Sequence, residues 1–161
     1  MKKLLVRADD LGYSEGINYG VAKSVKEGII GSVGVMTNMH AVDSANFFKG
    51  LEIVAERYGL KYSGFPIDET PIKIANKDVY VSMDSMMPNY DPFESLKKVV
   101  ENADEDKYYM FICHPGYLDG YILKYSSLTI LRPMEVNMVC NPNTRKWLEE
   151  SGVELITYND L

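Results

Sequence analysis

VRADDLGYSEG, residues 6–16, ends an apolar run on two adjacent carboxylates, Asp9 and Asp10, followed by a glycine and a helix-start signal at Ser14. The run itself, KLLVRA (3–8), reads as a short buried strand with branched side chains. Ser14 can cap a helix running to about Glu27, and Gly28 suits its C-terminal turn. Ile17, Val21 and Val25 recur at helical spacing within it. The stretch therefore reads as strand, turn, helix, with two negative charges placed where the strand stops.

The same alternation continues outward. SVGVMTNM (32–39) is a second strand, a helix is expected over about 42–58 with Gly59 as its stop, and LKYSGF (60–65) is a third strand. Residues 66–90 carry Pro66, Pro71 and Pro88 and no clear period, with VYVSM (79–83) as a short strand inside them. Asp91 is an N-cap, Pro92 suits the first helical position, and Glu94 completes a capping box for a helix to about Ala103. YYMFICHPG (108–116) is a strong strand ending at His114. Residues 127–139 become helical near Pro133, Asn141 and Pro142 start a helix through Glu150, and VELITY (153–158) is the last strand. This pattern predicts an α/β fold with a mainly parallel sheet, open or barrel-like, in one domain spanning 1–161.

A chain of 161 residues is long enough to bury a core but short for a complete eight-stranded α/β barrel. Such a barrel takes about 250 residues. The net charge of −6, with no Lys/Arg cluster, excludes a nucleic-acid binder that relies on general basicity. It also disfavours docking on acidic membranes. Cys113 and Cys140 make no disulfide framework and read as buried thiols of a reducing compartment. The apolar stretch in MKKLLVRADD is too short for a secretory signal, and no run approaches the roughly 18 apolar residues of a membrane span. A cytoplasmic protein is expected.

Ligands in parallel α/β folds bind beyond the carboxyl ends of the strands. Asp9/Asp10, Asn38/His40 and His114 all fall at such ends, on three separate strands. Adjacent carboxylates repel, and either a shared proton or a cation relieves them. One aspartate could then hold a metal while the other takes a proton from water; alternatively, Asp10 merely caps the turn before Gly12. His114 suits a general acid, a metal ligand or a hydrogen-bonded structural residue. Arg132 and Glu135 have helical spacing, which in isolation favours a surface ion pair. Strand alternation turns Cys113 away from His114, as core filler. Tyr117, Asp119 and Tyr121 could line a sugar pocket, and the Met-rich MDSMMPNY (83–90) reads as packing material.

Together these stretches resemble the YdjC-like carbohydrate deacetylases, the family that includes chito-oligosaccharide deacetylase. The resemblance rests on VRADDLGYSEGINYGV (6–21) with GIIGSVGVMTNM (28–39), LEIVAERYGLKY (51–62), CHPGYLD (113–119), and a tail in which SSLTILRPMEVNMV (126–139) supplies an Arg-x-x-Glu. It implies a deviant (β/α) barrel that removes acetyl groups from N-acetylated sugars with a divalent metal, Mg²⁺ or a transition ion such as Zn²⁺. By the same resemblance Asp9 is the catalytic base, Asp10 a metal ligand and His114 an acid or oxyanion stabiliser. Arg132 and Glu135 are supports for His114 or the aspartates; Asn38, from its place at a strand end, is a candidate substrate-binding or supporting residue. A small carbohydrate is the expected partner, with no nucleic acid and no membrane. Two alternatives stand beside this one: a non-catalytic sugar-binding or regulatory protein, and a hydrolase of a phosphorylated disaccharide.

The chain departs from the family pattern at one place. The family's Gly-x-His-Leu segment and its His-x-Asp-x-His-His stretch, which carry metal-binding histidines, have no counterpart; HAVDSANFF runs directly into KGLEIVAERYGL. His40 and His114 are the two histidines of the sequence. Either a stretch is missing near residues 46–51, or the deletion is genuine. A genuine deletion would expose apolar surface that a homo-oligomer could cover.

Overall fold

The structure, a computed structural model, describes residues 1–36, 70–85 and 87–161. Its elements are β1 (Lys2–Leu11), α1 (Glu15–Glu27), β2 (Ser32–Val35), β3 (Ile72–Ile74), β4 (Lys77–Ser82), α2 (Pro92–Glu101), β5 (Tyr108–Cys113), α3 (Gly120–Tyr125), α4 (Leu131–Cys140), α5 (Pro142–Glu150) and β6 (Val153–Leu155). A 3₁₀ turn, Tyr158–Asp160, follows. Strands run in the order β2-β1-β5-β4-β3, parallel except for the β3–β4 hairpin, and curl into a half-barrel. The expected α/β architecture is therefore present. The expected helix over 42–58, the strand over 60–65 and the junction near 46–51 lie outside the described residues.

β1 is the axis of the sheet. One edge pairs with β5 from Lys3↔Tyr108 to Ala8↔Cys113. The other edge is shared: β6 takes its start, Lys2↔Val153 to Leu4↔Leu155, and β2 takes its end, from Arg7↔Ser32. Alternation along β1 then sorts two cores. Leu4, Val6 and Ala8 pack with Phe111, Cys113, Ile17, Val21, Leu96 and Val139 under the helices. Leu5 packs with Met110, Ile112, Val79, Ile156 and Leu161 on the concave face.

The helix starts follow their caps. Ser14 Oγ accepts from Ile17 N, Asp91 Oδ1 from Glu94 N, and Asn141 Oδ1 from Asn143 N, with Pro92 and Pro142 in the first helical turn. α1 lies so close to the chain after β5 that a Cβ on Gly20 would sit 2.4 Å from the Gly116 Cα. The short strand expected over 79–83 is β4; β3 and α3 are not signalled by the sequence. The β3–β4 hairpin turns through Ala75 and Asn76, both at positive φ, where asparagine is at home. α3 is short and is set by Asp119, whose Oδ1 caps Ile122 N.

Candidate functional site

The two aspartates occupy a bulge. On β2, Val33 pairs with Ala8 and Val35 with Leu11, so Asp9 and Asp10 together face the single residue Gly34. A bulge inserts one residue, bends the strand and re-aims its side chains. Asp10 takes φ +72, a left-handed conformation that Asp tolerates better than most residues, and Gly12 follows at φ +98. Gly34 is required by contact: a Cβ there would lie 2.0 Å from Asp9 Oδ1 and 2.6 Å from Arg7 Nη2.

The bulge separates the two charges, and each is met by its own guanidinium. Arg7 Nε donates to Asp9 Oδ1 at 2.5 Å, and Arg7 Nη1 donates to the Tyr158 hydroxyl at 3.2 Å. Asp9's negative charge holds the Arg7 guanidinium protonated against the desolvation of its partly buried position. Asp10 turns the other way, toward α4, where Arg132 Nη2 donates to its Oδ2 at 2.8 Å. The repulsion of the doublet is thus relieved by two arginines.

His114 is the first residue past β5. It directly follows the last paired position, Ala8↔Cys113, and strand alternation puts it on the same concave face as Met110 and Ile112. Its backbone is gripped from the helix side. Arg132 Nη1 donates to the His114 carbonyl at 3.3 Å, and the His114 N–H donates to Glu135 Oε2 at 2.6 Å. Arg132 also donates from Nε to the Leu128 carbonyl at 2.9 Å. Arg132 and Glu135 are 3% and 0% exposed. The surface ion pair suggested by their spacing is therefore absent: both are buried, and each binds the strand ends instead of the other. α4 can do this because its i, i+3, i+4, i+7 positions Arg132, Glu135, Val136 and Val139 all turn inward. Its opposite side, with Met134, Asn137 and Met138, lines a separate cavity of about 460 Å³ against Phe93 and Trp147.

Glu135 has two further partners that the sequence reading passes over. Ser85 Oγ donates to Glu135 Oε1 at 2.7 Å, and the Tyr90 hydroxyl donates to the same oxygen at 2.8 Å. Ser85 Oγ also lies 3.2 Å from His114 Nδ1. Burial, then the Glu135 charge, push the Tyr90 phenol far above its ordinary range, so it remains a donor. The available signal is position: Ser85 stands just past the carboxyl end of β4, where ligand sites are built in parallel sheets.

Other expectations resolve locally. Cys113 is fully buried among the helices, and burial pushes its thiol well up, as core filler requires. Asp119 spends both oxygens on backbone N–H groups, Gly16 and Ile122, and fastens α1 to α3. Tyr121 is half exposed and contacts Tyr13 edge-on at 5.8 Å and Tyr125 at 4.8 Å. The Tyr13 ring in turn faces the Arg132 guanidinium at 5.8 Å. Asn38 and His40 lie outside the described residues. Among the described residues no three His, Cys, Asp or Glu side chains converge as a metal cluster. Asp10, the expected ligand, has its Oδ2 held by Arg132. The described residues alone do not fit the divalent ion. No described helix is long and apolar enough to cross a membrane.

The model of the family described as YdjC-like protein matches residues 3–60. Carbohydrate deacetylase 2 of Listeria innocua is 35% identical over 75 residues, which are 45% of this chain and only 30% of that protein. Carbohydrate deacetylase of Clostridium beijerinckii is 22% identical over 244 aligned positions, covering 99% of this chain and all of that protein. Those positions exceed the 161 residues here, so a block of the relative has no counterpart. A crystal structure from Enterococcus faecalis, of a protein named for cellobiose-phosphate cleavage, superposes with a TM-score of 0.63 at 16% identity. It covers 99% of this chain and 98% of that one, and it shows the shared fold. The bulged aspartate doublet at the end of β1 lies inside the segment that matches the YdjC-like model, and the chain as a whole is similar to carbohydrate deacetylases at low identity.

Proposed function

We propose that this chain is a carbohydrate deacetylase, hydrolysing the acetamido group of an N-acetylated sugar. The observation that carries this reading is that β1 and β5 pair in register up to Ala8↔Cys113, so that Asp9 and His114 each follow directly on adjacent parallel strands, in a chain that aligns with deacetylases over 99% of its length. Asp9, held by Arg7, accepts a proton from the attacking water as its oxygen bonds to the amide carbon. The tetrahedral intermediate collapses, the C–N bond breaks, and the imidazolium of His114 gives its proton to the departing amine. Acetate and the amino sugar are the products. The metal named by the family resemblance would need ligands beyond Asp10 that the described residues do not supply. The exposed edge formed by Tyr121 and Tyr125 beside Tyr13 supports a sugar as the substrate, because such rings offer a flat apolar face with a polar tip.

The phosphorylated-disaccharide alternative draws on the name of the Enterococcus protein, a likeness of fold. At this site Arg7 and Arg132 both engage carboxylates, which does not favour a phosphate cradle. The deciding experiment is acetate release from N,N′-diacetylchitobiose, with and without added divalent metal. Release that disappears in Asp9→Asn is expected. Binding of chitobiose without acetate release under either condition would move the chain to the non-catalytic sugar-binding class.

A further inference from the structure

Glu135 has no part in the reaction above, yet it is fully buried and gathers three donors: the His114 N–H, the Ser85 hydroxyl and the Tyr90 hydroxyl. That is the pattern of an ionised carboxylate, which accepts and never donates. Ser85 is also fully buried, and its hydroxyl carries one hydrogen. Ser85 also touches the Tyr90 hydroxyl, which donates its own hydrogen to Glu135; with the Ser85 hydrogen likewise directed at Glu135 Oε1, Ser85 Oγ is an acceptor toward His114 Nδ1. The proton on the imidazole is then fixed to Nδ1, since the tautomer follows the hydrogen bond made by the other ring nitrogen.

We propose that Ser85 is a positioning residue, forming with Glu135 a buried relay, His114 Nδ1–H to Ser85 Oγ–H to the Glu135 carboxylate, that makes Nε2 the nitrogen that gains and loses a proton. Glu135 grips the same residue twice, directly at its backbone N–H and through Ser85 at its ring, so the ring and the strand end are oriented as a unit. Tyr90 satisfies the remaining capacity of Oε1 and closes the relay. The catalytic meaning rests on the deacetylase reading: an imidazolium that loses its Nε2 proton to the amine is left in the Nδ1–H form that the relay stabilises. The tautomer itself does not depend on that reading.

The test is a long-range ¹H–¹⁵N spectrum of the uniformly labelled full chain without substrate, with His40→Gln to assign the two imidazoles. Neutral His114 is expected with its proton on Nδ1. Ser85→Ala should move it toward Nε2–H and lower kcat for acetate release by on the order of tenfold to a hundredfold with KM little changed, while Ser85→Thr restores both. An Nε2–H tautomer in the wild-type chain overturns the relay, and so does a tautomer that Ser85→Ala leaves unmoved. If Ser85→Ala does not fold, the wild-type spectrum decides alone. A wild-type chain with Nδ1–H and no acetate release retires the deacetylase reading and leaves the relay standing; acetate release with Nε2–H retires the relay only.

Discussion

The two sides of the strand ends use the same residue types to opposite purposes. On the helix side, Arg132 and Glu135 are buried, and apart from the Leu128 carbonyl their partners are groups at or just beyond the strand ends. On the concave side, Arg7 and Asp9 form a pair that is 13% and 16% exposed, within reach of solvent and ligand. A buried, saturated network costs much to disturb and holds geometry. A partly open pair costs less and can react. The contrast separates what orients this site from what would act in it.

The largest effect should come from the concave side. Asp9→Asn is expected to reduce acetate release by about 10²–10⁴-fold, the range lost with a general base. Gly34→Ala should approach that loss, because its methyl would displace Asp9 Oδ1 and Arg7 together. Asp9→Asn should unfold in urea close to the wild-type midpoint, whereas Gly34→Ala should lose about 1–3 kcal/mol to strain. A wild-type rate in Gly34→Ala would break the comparison.

Next comes the helix side. Glu135→Ala strands three donors in a buried place, and a loss of about 3 kcal/mol or more is expected in urea titration. A loss comparable to that of a surface substitution would show that the network does not hold the strand ends. Smaller is the effect of the bulge. Asp10→Asn keeps a residue suited to φ +72 but removes the charge facing Arg132, whereas Asp10→Ala also meets the left-handed strain. The alanine variant should be less stable than the asparagine variant by about 1–2 kcal/mol.

The smallest effect concerns Asp119, at the periphery. Hydrogen bonds from the Ile122 N–H first, then Ser14 and the Gly16 N–H, hold its carboxyl below the usual carboxylate value of 3.8. A depressed folded-state value means stability that is present above the unfolded value and lost as pH falls through the folded one. The melting-temperature gap between the wild-type chain and Asp119→Asn should therefore be constant near neutrality and close below about pH 4. A gap that widens on acidification would reverse the assigned sign.

What was legible in the sequence was whatever had local cause. The apolar runs of β1 and β5 placed Asp9, Asp10 and His114 at strand ends, and side-chain caps placed α1, α2 and α5. Arg132 and Glu135 showed only their spacing; their burial comes from α4 lying against the strand ends, a tertiary fact that spacing does not encode. Ser85 and Tyr90 sat in a stretch without period, and their meaning appears only when β4 is laid beside β5. The bulge was hidden for the same reason: the doublet is visible in one strand, but its extra residue exists only relative to Gly34 on another.

The central strand also sets a clock. β1 is the first strand, and while β2 lies close behind it in sequence, its other two partners lie about a hundred residues and more away, Tyr108 opposite Lys3 and Val153 opposite Lys2. Pairings of such separation close slowly, because the entropy of a long loop must be spent before the contact gives anything back. During synthesis the strand carrying both aspartates therefore waits, with one edge open until β5 emerges and the start of the other open until β6 does. An open apolar edge is a template for wrong partners. The charge of Asp10 at its end meets its arginine, Arg132, only after most of the chain has been made, whereas Asp9 has Arg7 beside it on the same strand.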